Sequence, residues 1–491
     1  MYLLMFSSPY TFAAKIALIL TISALTVIFA RYYVHMLQLE GYFISQFIPH
    51  LFHRVLHPKT LVSPAKQKKP LVYTARIKRL FVVISLVVLL SCSAIVLCFD
   101  TLLSLLCVLL IPFTSVIVLI SALITKPIEA LIAKFYVLDA KRKLDARKDL
   151  KIIAITGSYG KTSTKFILST ILSEKYSVLT PPSSYNTTLG VVRVIRERLQ
   201  PDDEIFICEM GSRHIGDIKE ICSFVHPDAA IITSIGPQHL DTFGSIEGVK
   251  KGKFELIEAL DKDSFAVFAS TNDDILSLYQ KAECVKLTAG FNDFDSLRAE
   301  NITVGCSGSA FSLVFPDGES AECSTSLLGK HNISNILVAA AAAYKLGLSI
   351  EQIVRGISKI KPVEHRLQIV RQKPITIIDD AFNSSPNGAS AALDVLKSFL
   401  GRRIIITPGF VELGDKLDYY HFELGKKIAE CADIAILVGK KRTEKIVEGL
   451  GDFKQAYVVS SLFEATELLG KISQVGDVVL FENDLPDNFN E

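Results

Sequence analysis

Residues 80–99 (LFVVISLVVLLSCSAIVLCF) carry no charged side chain, and beyond a single acid, Asp100, residues 101–125 (TLLSLLCVLLIPFTSVIVLISALIT) carry none either. About 20 apolar residues, rising 1.5 Å each, cross a hydrocarbon core of ~30 Å. The two runs therefore read as a helical hairpin of two membrane spans with a very short turn at Asp100. A third run, residues 16–30 (IALILTISALTVIFA), spans as well if its helix reaches back past Lys15 into SPYTFAA. A signal peptide is the alternative for this run, but the first 14 residues lack a basic start and no small-residue cleavage site follows. The expected spans are about 10–30, 80–99 and 101–125, within a membrane domain of residues 1–150.

Loop charge sets the expected orientation. Residues 31–79 hold nine Lys/Arg and one acid, Glu40, and residues 126–151 hold eight Lys/Arg and four acids. Positively charged loops stay on the cytoplasmic side, which puts everything after the spans in the cytoplasm of a multi-pass protein of the plasma membrane. The basic segment 54–79 serves as a topology signal or as a seat for an anionic lipid headgroup. Over the whole chain, 53 basic residues balance 51 acidic ones, so charge gives no reason to propose a nucleic-acid partner. Nine cysteines without a C-x-x-C pair point to free thiols in a reducing compartment, and to neither a zinc site nor a disulfide framework.

From Lys151 the pattern changes to alternating strand and helix. KIIAIT, DEIFICEM (203–210), AAIITSIG (229–236) and SFAVFAS (264–270) are short apolar strands with helical stretches between them. Such alternation implies a parallel sheet covered on both faces. Residues 301–327 read instead as a small antiparallel insert. After KPITIIDDAF a second series begins, with RRIIITPG, ADIAILVG, AYVVSS and DVVLFEN as strands. The expected fold class is α/β, with a central domain at 151–361 and a C-terminal Rossmann-like domain at 362–491. Ligands in such folds lie at the carboxyl ends of strands.

The first strand runs into Thr156-Gly157-Ser158-Tyr159-Gly160-Lys161-Thr162-Ser163 and then a helix. The general P-loop G-x-x-x-x-G-K-[ST] needs a glycine six positions before the lysine, and that position is Ile155. The context still suits a phosphate: backbone N–H groups and a positive helix end face an anion, Lys161 neutralises charge and the Thr162 hydroxyl ligates a magnesium ion. At later strand ends stand Glu209, a metal ligand or a surface cap, and His239 with Asp241. His214 reads as a solvated loop histidine. In the helix GVKKGKFELIEAL, Lys250 and Lys251 read as a solvated face, and spacing does not decide the role of Lys253. Asp379 and Asp380 grip a ribose or a metal, or cap the helix that starts at Ser385.

Taken together, these pieces resemble the Mur ligase family, the ATP-dependent amide-forming enzymes of peptidoglycan synthesis. That family's phosphate loop is T-G-x-x-G-K-T, the form found at 156–162. EMGSRHIGDI, HLDTFGSIEGVKKGKFE, LLGKHNISNILVAA, HRLQ, DDAFNSSP and ELGDKLDYYHFELG follow in the order of the subgroup that adds D-alanyl-D-alanine to UDP-N-acetylmuramoyl-tripeptide. The resemblance covers about 150–491. It implies a Mur-ligase-like central P-loop ATPase domain, a C-terminal Rossmann-like domain that closes over ATP, and an acyl-phosphate mechanism. Carried over by motif, the loop residues 156–163 bind ATP, with Lys161 on the β/γ-phosphates. Thr162, Glu209 and His239 ligate Mg²⁺, and Lys253 is carbamylated so that it can hold a second Mg²⁺. Asn332 and Asn335 contact adenine, Arg366 reaches the phosphates, and Asp380 holds the ribose. The catalytic set is Lys161, Lys253, His239 and Arg366.

The departures from the family pattern are Ser184 and Thr187 in SSYNTTLG, and Ser385 in DDAFNSSP, where the subgroup usually has Asn. Membrane spans also stand where the family carries the domain that binds the UDP-sugar. The expected protein is thus a membrane-anchored ligase joining an amino acid or a dipeptide such as D-Ala-D-Ala to a UDP-linked or lipid-linked cell-wall precursor. A ligase resembling the poly-γ-glutamate synthases is the alternative. A non-catalytic scaffold is disfavoured by intact Lys161, Glu209, His239 and Lys253.

Overall fold

The structure, a computed structural model, describes residues 9–48, 70–99, 103–371, 373–382 and 384–485. The chain forms two compact units, residues 1–135 and 136–484. Most of the basic segment expected to lie near lipid headgroups (54–69), and the expected turn at Asp100, fall outside the described residues.

The first unit is helical. Pro9–Leu39 is one helix of 31 residues and Ala75–Cys98 another of 24. The second buries Ile77, Leu80, Ile84, Val88, Cys92 and Val96, a stripe recurring every three or four residues, and turns Leu86, Leu90 and Leu97 outward. The first helix continues through Lys15, as a span there requires. Its ammonium is satisfied at the carboxyl end of the neighbouring helix, 3.2 Å from the carbonyl of Val96, where exposed carbonyls favour a cation. The third expected span is corrected. Residues 101–125 are not one helix: Leu103–Leu110 is a 3₁₀ segment, and the α-helix begins at Thr114 and runs to Asp145. Pro112 accounts for the break, because proline disfavours helical geometry in the residue before it. Among the described residues three helices, Phe12–Leu39, Ala75–Cys98 and Thr114–Asp145, are long and apolar enough to cross a membrane.

The second unit carries two sheets. The central one has nine strands in the order β2-β3-β1-β4-β5-β6-β7-β8-β9. They are β1 Lys151–Thr156, β2 Val178–Leu179, β3 Ile205–Glu209, β4 Ala229–Ile232, β5 Phe265–Ala269, β6 Val285–Gly290, β7 Leu297–Gly305, β8 Gly308–Val314 and β9 Ser320–Thr325. β2 to β7 pair in parallel, and β7-β8-β9 form an antiparallel meander that extends the same sheet. β1, β3, β4 and β5 are buried on both faces, which is why their sequences are unbroken apolar runs rather than alternating ones. The C-terminal sheet has the order β10-β11-β15-β12-β13-β14, with β10 Gln368–Arg371, β11 Thr376–Asp380, β12 Arg403–Thr407, β13 Ile434–Val438, β14 Ala456–Val459 and β15 Val478–Glu482. All its pairs are parallel except β10 with β11. All nine cysteines are free, and six of them are buried.

Candidate active site

The chemistry-bearing residues gather where the carboxyl ends of the central strands meet the C-terminal lobe. β1 ends at Thr156, whose hydroxyl donates to the carbonyl of Met210 just beyond β3 (2.9 Å). The loop that follows is shaped by two glycines. Gly157 has φ 154°, and a Cβ there would stand 2.1 Å from Thr233 Oγ1; Gly160 has φ 82°, and a Cβ there would stand 2.5 Å from Asn335 Oδ1. Only glycine fits these close approaches. The loop is strapped to the turn after β4. Ser158 N donates to Ser234 O (2.9 Å), Tyr159 N donates to Ser234 Oγ (2.7 Å), and Thr233 Oγ1 donates to Tyr159 O (2.6 Å). The helix Lys161–Leu172 opens directly on Gly160, so its positive end, with Lys161, Thr162 and Ser163, faces the loop.

Two lysines, Lys161 and Lys165, flank one acid, Glu209. Lys161 Nζ donates to the carbonyls of Gly157 (2.6 Å) and Ser158 (3.3 Å). Burial pulls its amine down to about 8, against the opposing pull of Glu209. Glu209 ends β3 and is buried. Its Oε1 accepts from Thr162 Oγ1 (3.0 Å) and Asn186 Nδ2 (3.0 Å). Its Oε2 stands 3.2 Å from Lys165 Nζ, an ion pair angled away from a hydrogen bond, so that this oxygen has no hydrogen-bond partner. Lys165, fully buried, also donates to Ser183 O (2.9 Å) and thereby ties the SSYN segment to Glu209. Sequence reasoning missed Lys165. It lies one helical turn past Lys161, and that spacing is the signal that would have found it.

Lys253 is buried in the helix Ile246–Glu258 and donates to Ser212 Oγ (2.9 Å). Burial and the charge of Lys161 push its amine well below the usual lysine range. Its neighbour Lys250 corrects the solvated-face expectation: it is largely buried and paired with Glu247 (2.8 Å) and Asp274 (3.3 Å). Lys251 is exposed. His214 is half-exposed, 3.9 Å from Asp217.

His239 does not meet Glu209. It adopts a left-handed backbone (φ 49°) ahead of the short helix Leu240–Phe243, and its Nδ1 lies 2.5 Å from Glu412 Oε2, contributed by the C-terminal lobe. Asn332 and Asn335 are both buried. Asn335 Oδ1 accepts from Thr164 Oγ1 (3.3 Å), its Nδ2 donates to Asn332 Oδ1 (3.3 Å), and Asn332 Nδ2 donates to Leu328 O (2.9 Å). This pair backs the phosphate loop from behind.

From the C-terminal lobe, Arg366 stacks on Phe382 (4.2 Å to the ring centroid). Burial lowers its guanidinium while Asp380 and Glu209 oppose that shift, which places it between an acid of each lobe. Asp380 sits at the end of β11, accepts from Leu367 N (3.0 Å), and is raised to about 6 by burial. Neither Asp379 nor Asp380 caps the following helix; Ser385 does, accepting from Gly388 N. Paired in register with Asp380 is Glu482, fully buried, accepting from Ser384 and from Thr407 Oγ1 (2.5 Å), and raised by burial to about 7. Tyr159, at a variable position of the loop, accepts from Asn387 Nδ2 across the lobes (2.8 Å).

Among the described residues no three His, Cys, Asp or Glu side chains converge on one metal position. Magnesium asks for less: one or two carboxylates with hydroxyl, phosphate and water oxygens. The Thr162 hydroxyl beside Glu209, whose buried Oε2 is without a hydrogen bond, is a donor set that fits it.

Residues 155–343 match the Mur ligase middle domain and residues 365–482 the Mur ligase glutamate ligase domain. Among curated proteins, the chain is similar to the UDP-N-acetylmuramoyl-tripeptide–D-alanyl-D-alanine ligases of Bacillus subtilis (28% identical over 68% of this chain and 72% of that protein) and Escherichia coli (32% over 59% and 65%). It thus spans about two thirds of the length of these relatives. Among solved structures it is similar to MurF from Acinetobacter baumannii, with a TM-score of 0.65, 28% identity, and coverage of 70% of this chain and 76% of that one. It shares its fold with MurF of Thermotoga maritima in complex with ADP, with a TM-score of 0.65 and 24% identity over 72% of this chain and 80% of that one.

Proposed function

The chain belongs to the Mur ligase family of ATP-dependent peptide ligases, and from that premise we propose that it is a membrane-anchored ligase that couples ATP cleavage to amide formation on a cell-wall precursor. The observation that carries this reading is the juxtaposition of a strapped phosphate loop, three lysines and Glu209 on the central lobe with Arg366 and Asp380 on the C-terminal lobe.

A carboxylate is a poor acyl donor. Its oxygen attacks the γ-phosphorus of ATP, the bond to the β-phosphate oxygen breaks, and ADP leaves an acyl phosphate behind. The substrate amine then attacks the acyl carbon, and the carbon–oxygen bond to phosphate breaks. The loop's backbone and Lys161 receive the polyphosphate, and Arg366 adds charge from the opposite lobe, so the transferring group is clamped from two sides. Thr162 and Glu209 would hold Mg²⁺, which supplies charge neutralisation on the phosphates. Lys165 pairs with Glu209 at 3.2 Å and holds it in place. Lys253 is held where a neutral amine is favoured, the form that adds CO₂ to become a carbamate. Asp380 faces the ribose hydroxyls, and Asn332 and Asn335 set the loop's back wall beside the adenine. Closure of the two lobes keeps water from the acyl phosphate. The acceptor is a UDP-linked or lipid-linked carboxylate, the amine is an amino acid or a dipeptide such as D-alanyl-D-alanine, and the three apolar helices hold the ligase at the cytoplasmic face of the plasma membrane.

The test is phosphate release by the full chain in detergent, screened with UDP-linked and lipid-linked acceptors against D-Ala-D-Ala and Glu. Release should require both an acceptor and an amine, should fall about a thousandfold or more in Lys161→Ala, and should respond to bicarbonate at low pH through Lys253. Undiminished activity in Lys161→Ala overturns the mechanism. Turnover of the soluble acceptor alone would reduce the apolar helices to an anchor.

A further inference from the structure

We propose that Glu412 is a positioning residue that sets His239 for the reaction only when the C-terminal lobe is seated on the central one. The sequence marks it as the first residue of the motif ELGDKLDYYHFELG and gives it no role. It lies in the loop after β12, and its two carboxylate oxygens reach two different side chains of the central lobe: Oε2 stands 2.5 Å from His239 Nδ1 and Oε1 stands 3.0 Å from Arg213 Nη2. The His239 and Glu412 side chains are each more than four-fifths buried, so solvent screens the pair little. Both partners hold left-handed backbones, φ 49° at His239 and φ 63° at Glu412. Non-glycine residues persist in that region only where surrounding contacts hold them there.

The contacts on each side do so. Thr242 Oγ1 donates to Arg213 O (2.5 Å) and to His239 O (3.1 Å), which ties the Arg213 loop to the His239 turn. On the C-terminal side, Gly414 packs beside Asp241, where a Cβ on it would meet Asp241 N at an ordinary contact distance of 3.5 Å.

A carboxylate on one ring nitrogen fixes the tautomer and orientation of an imidazole, and Glu412 engages Nδ1 of His239 in this way. Because Glu412 belongs to the other lobe, this setting is available only when the lobes meet. Lobe closure thereby completes the site chemically as well as excluding water.

The inference rests on the ligase reading, and two measurements on the full chain in detergent separate the two. The first is steady-state phosphate release by Glu412→Ala and by the isosteric Glu412→Gln. We expect kcat to fall about ten- to a hundredfold in Glu412→Ala and less in Glu412→Gln, with KM for ATP changed less than about threefold. The second is amide hydrogen exchange: segments 236–244 and 408–417 should exchange faster in Glu412→Ala while the phosphate loop 157–162 and ADP affinity stay as in the wild type. Wild-type kcat together with unchanged exchange at 236–244 overturns the proposal, as does a loss of ADP affinity equal to the loss of kcat. If the wild-type chain itself releases no phosphate, the ligase reading fails, and the exchange comparison still decides whether Glu412 holds His239.

Discussion

The two lobes build their halves of the cleft from opposite charges. The central lobe gathers Lys161 and Lys165 around one acid, Glu209, with Lys253 near enough to Lys161 to feel its charge. The C-terminal lobe gathers Asp379, Asp380 and Glu482 near one cation, Arg366. The environments differ in kind as well. The lysines are pushed toward neutrality by burial, with Arg366 adding to it at Lys161 and Lys165 and Lys161 at Lys253, whereas Asp380 and Glu482 are pushed toward the protonated form. One floor suits a polyphosphate, and the facing wall suits hydroxyl groups. Each lobe also lends the other its exception, since Arg366 and Glu209 feel one another's charge across the cleft.

The largest effect that would break this contrast lies at Lys165. Lys165→Met leaves Glu209 buried without its cation, and removing one partner of a buried pair costs about 3 kcal/mol or more. Phosphate release should fall by about a hundredfold, and the variant should unfold at lower denaturant. The double variant Lys165→Met/Glu209→Gln should recover most of the stability and none of the activity. Stability in Lys165→Met equal to the wild type would remove Lys165 from the site's electrostatics.

A middling effect of opposite character belongs to Glu482. Its carboxyl is raised to about 7 by burial, so the folded chain holds this proton more tightly than the unfolded chain, whose glutamate titrates near about 4.3. The associated stability is full below about pH 4.3, is lost as pH rises to about 7, and changes no further above that; the loss is at most roughly 4 kcal/mol. Glu482→Gln should therefore be more stable than the wild type at pH 8 and indistinguishable from it near pH 4. Denaturant titrations at the two pH values check the sign. A benefit at low pH instead would mean that Glu482 is a stabilising carboxylate and that the acid-rich wall has been misread.

The smallest effect sharpens the contact between the lobes. Tyr159→Phe removes the hydroxyl that accepts from Asn387, a neutral hydrogen bond worth about 1 kcal/mol. A roughly threefold fall in kcat, with ADP affinity unchanged, is expected. A fall as large as that of Lys161→Ala would promote the tyrosine from a cross-lobe contact to a participant in phosphate binding.

The strands and their ends were legible because a strand buried on both faces leaves an unbroken apolar run, and its last residue falls where the run stops, as at Thr156, Glu209 and Asp380. The phosphate loop was legible from its spacing. Other features depend on which lobe faces which, and a linear pattern does not carry that. Glu412 lies more than 170 positions after the histidine it engages, and its reach depends on a left-handed backbone at a residue that usually avoids one. Lys165 looked like an ordinary polar position on an amphipathic helix. Lys250 looked solvated because its acceptor Asp274 comes from another helix. In the first unit, hydropathy identified an apolar stretch at 101–125, but the helical register around Pro112 is a backbone matter that hydropathy averages away.

The strand order of the two sheets has a consequence for how the protein is made. By residue 325 every strand of the central sheet has been synthesised, and its last members join at one edge. In the C-terminal sheet the final strand, β15, inserts in the interior between β11 and β12. Until residue 482 has been made, β11 and β12 present open flanks to one another, and Glu482, Thr407 and Ser384 are not yet joined. Domains fold as units during synthesis, the earlier ones first. The nucleotide-loop lobe can thus be complete while its counterpart is still two unpaired sheet fragments, a nascent state with exposed strand edges that a chaperone would find before any substrate does.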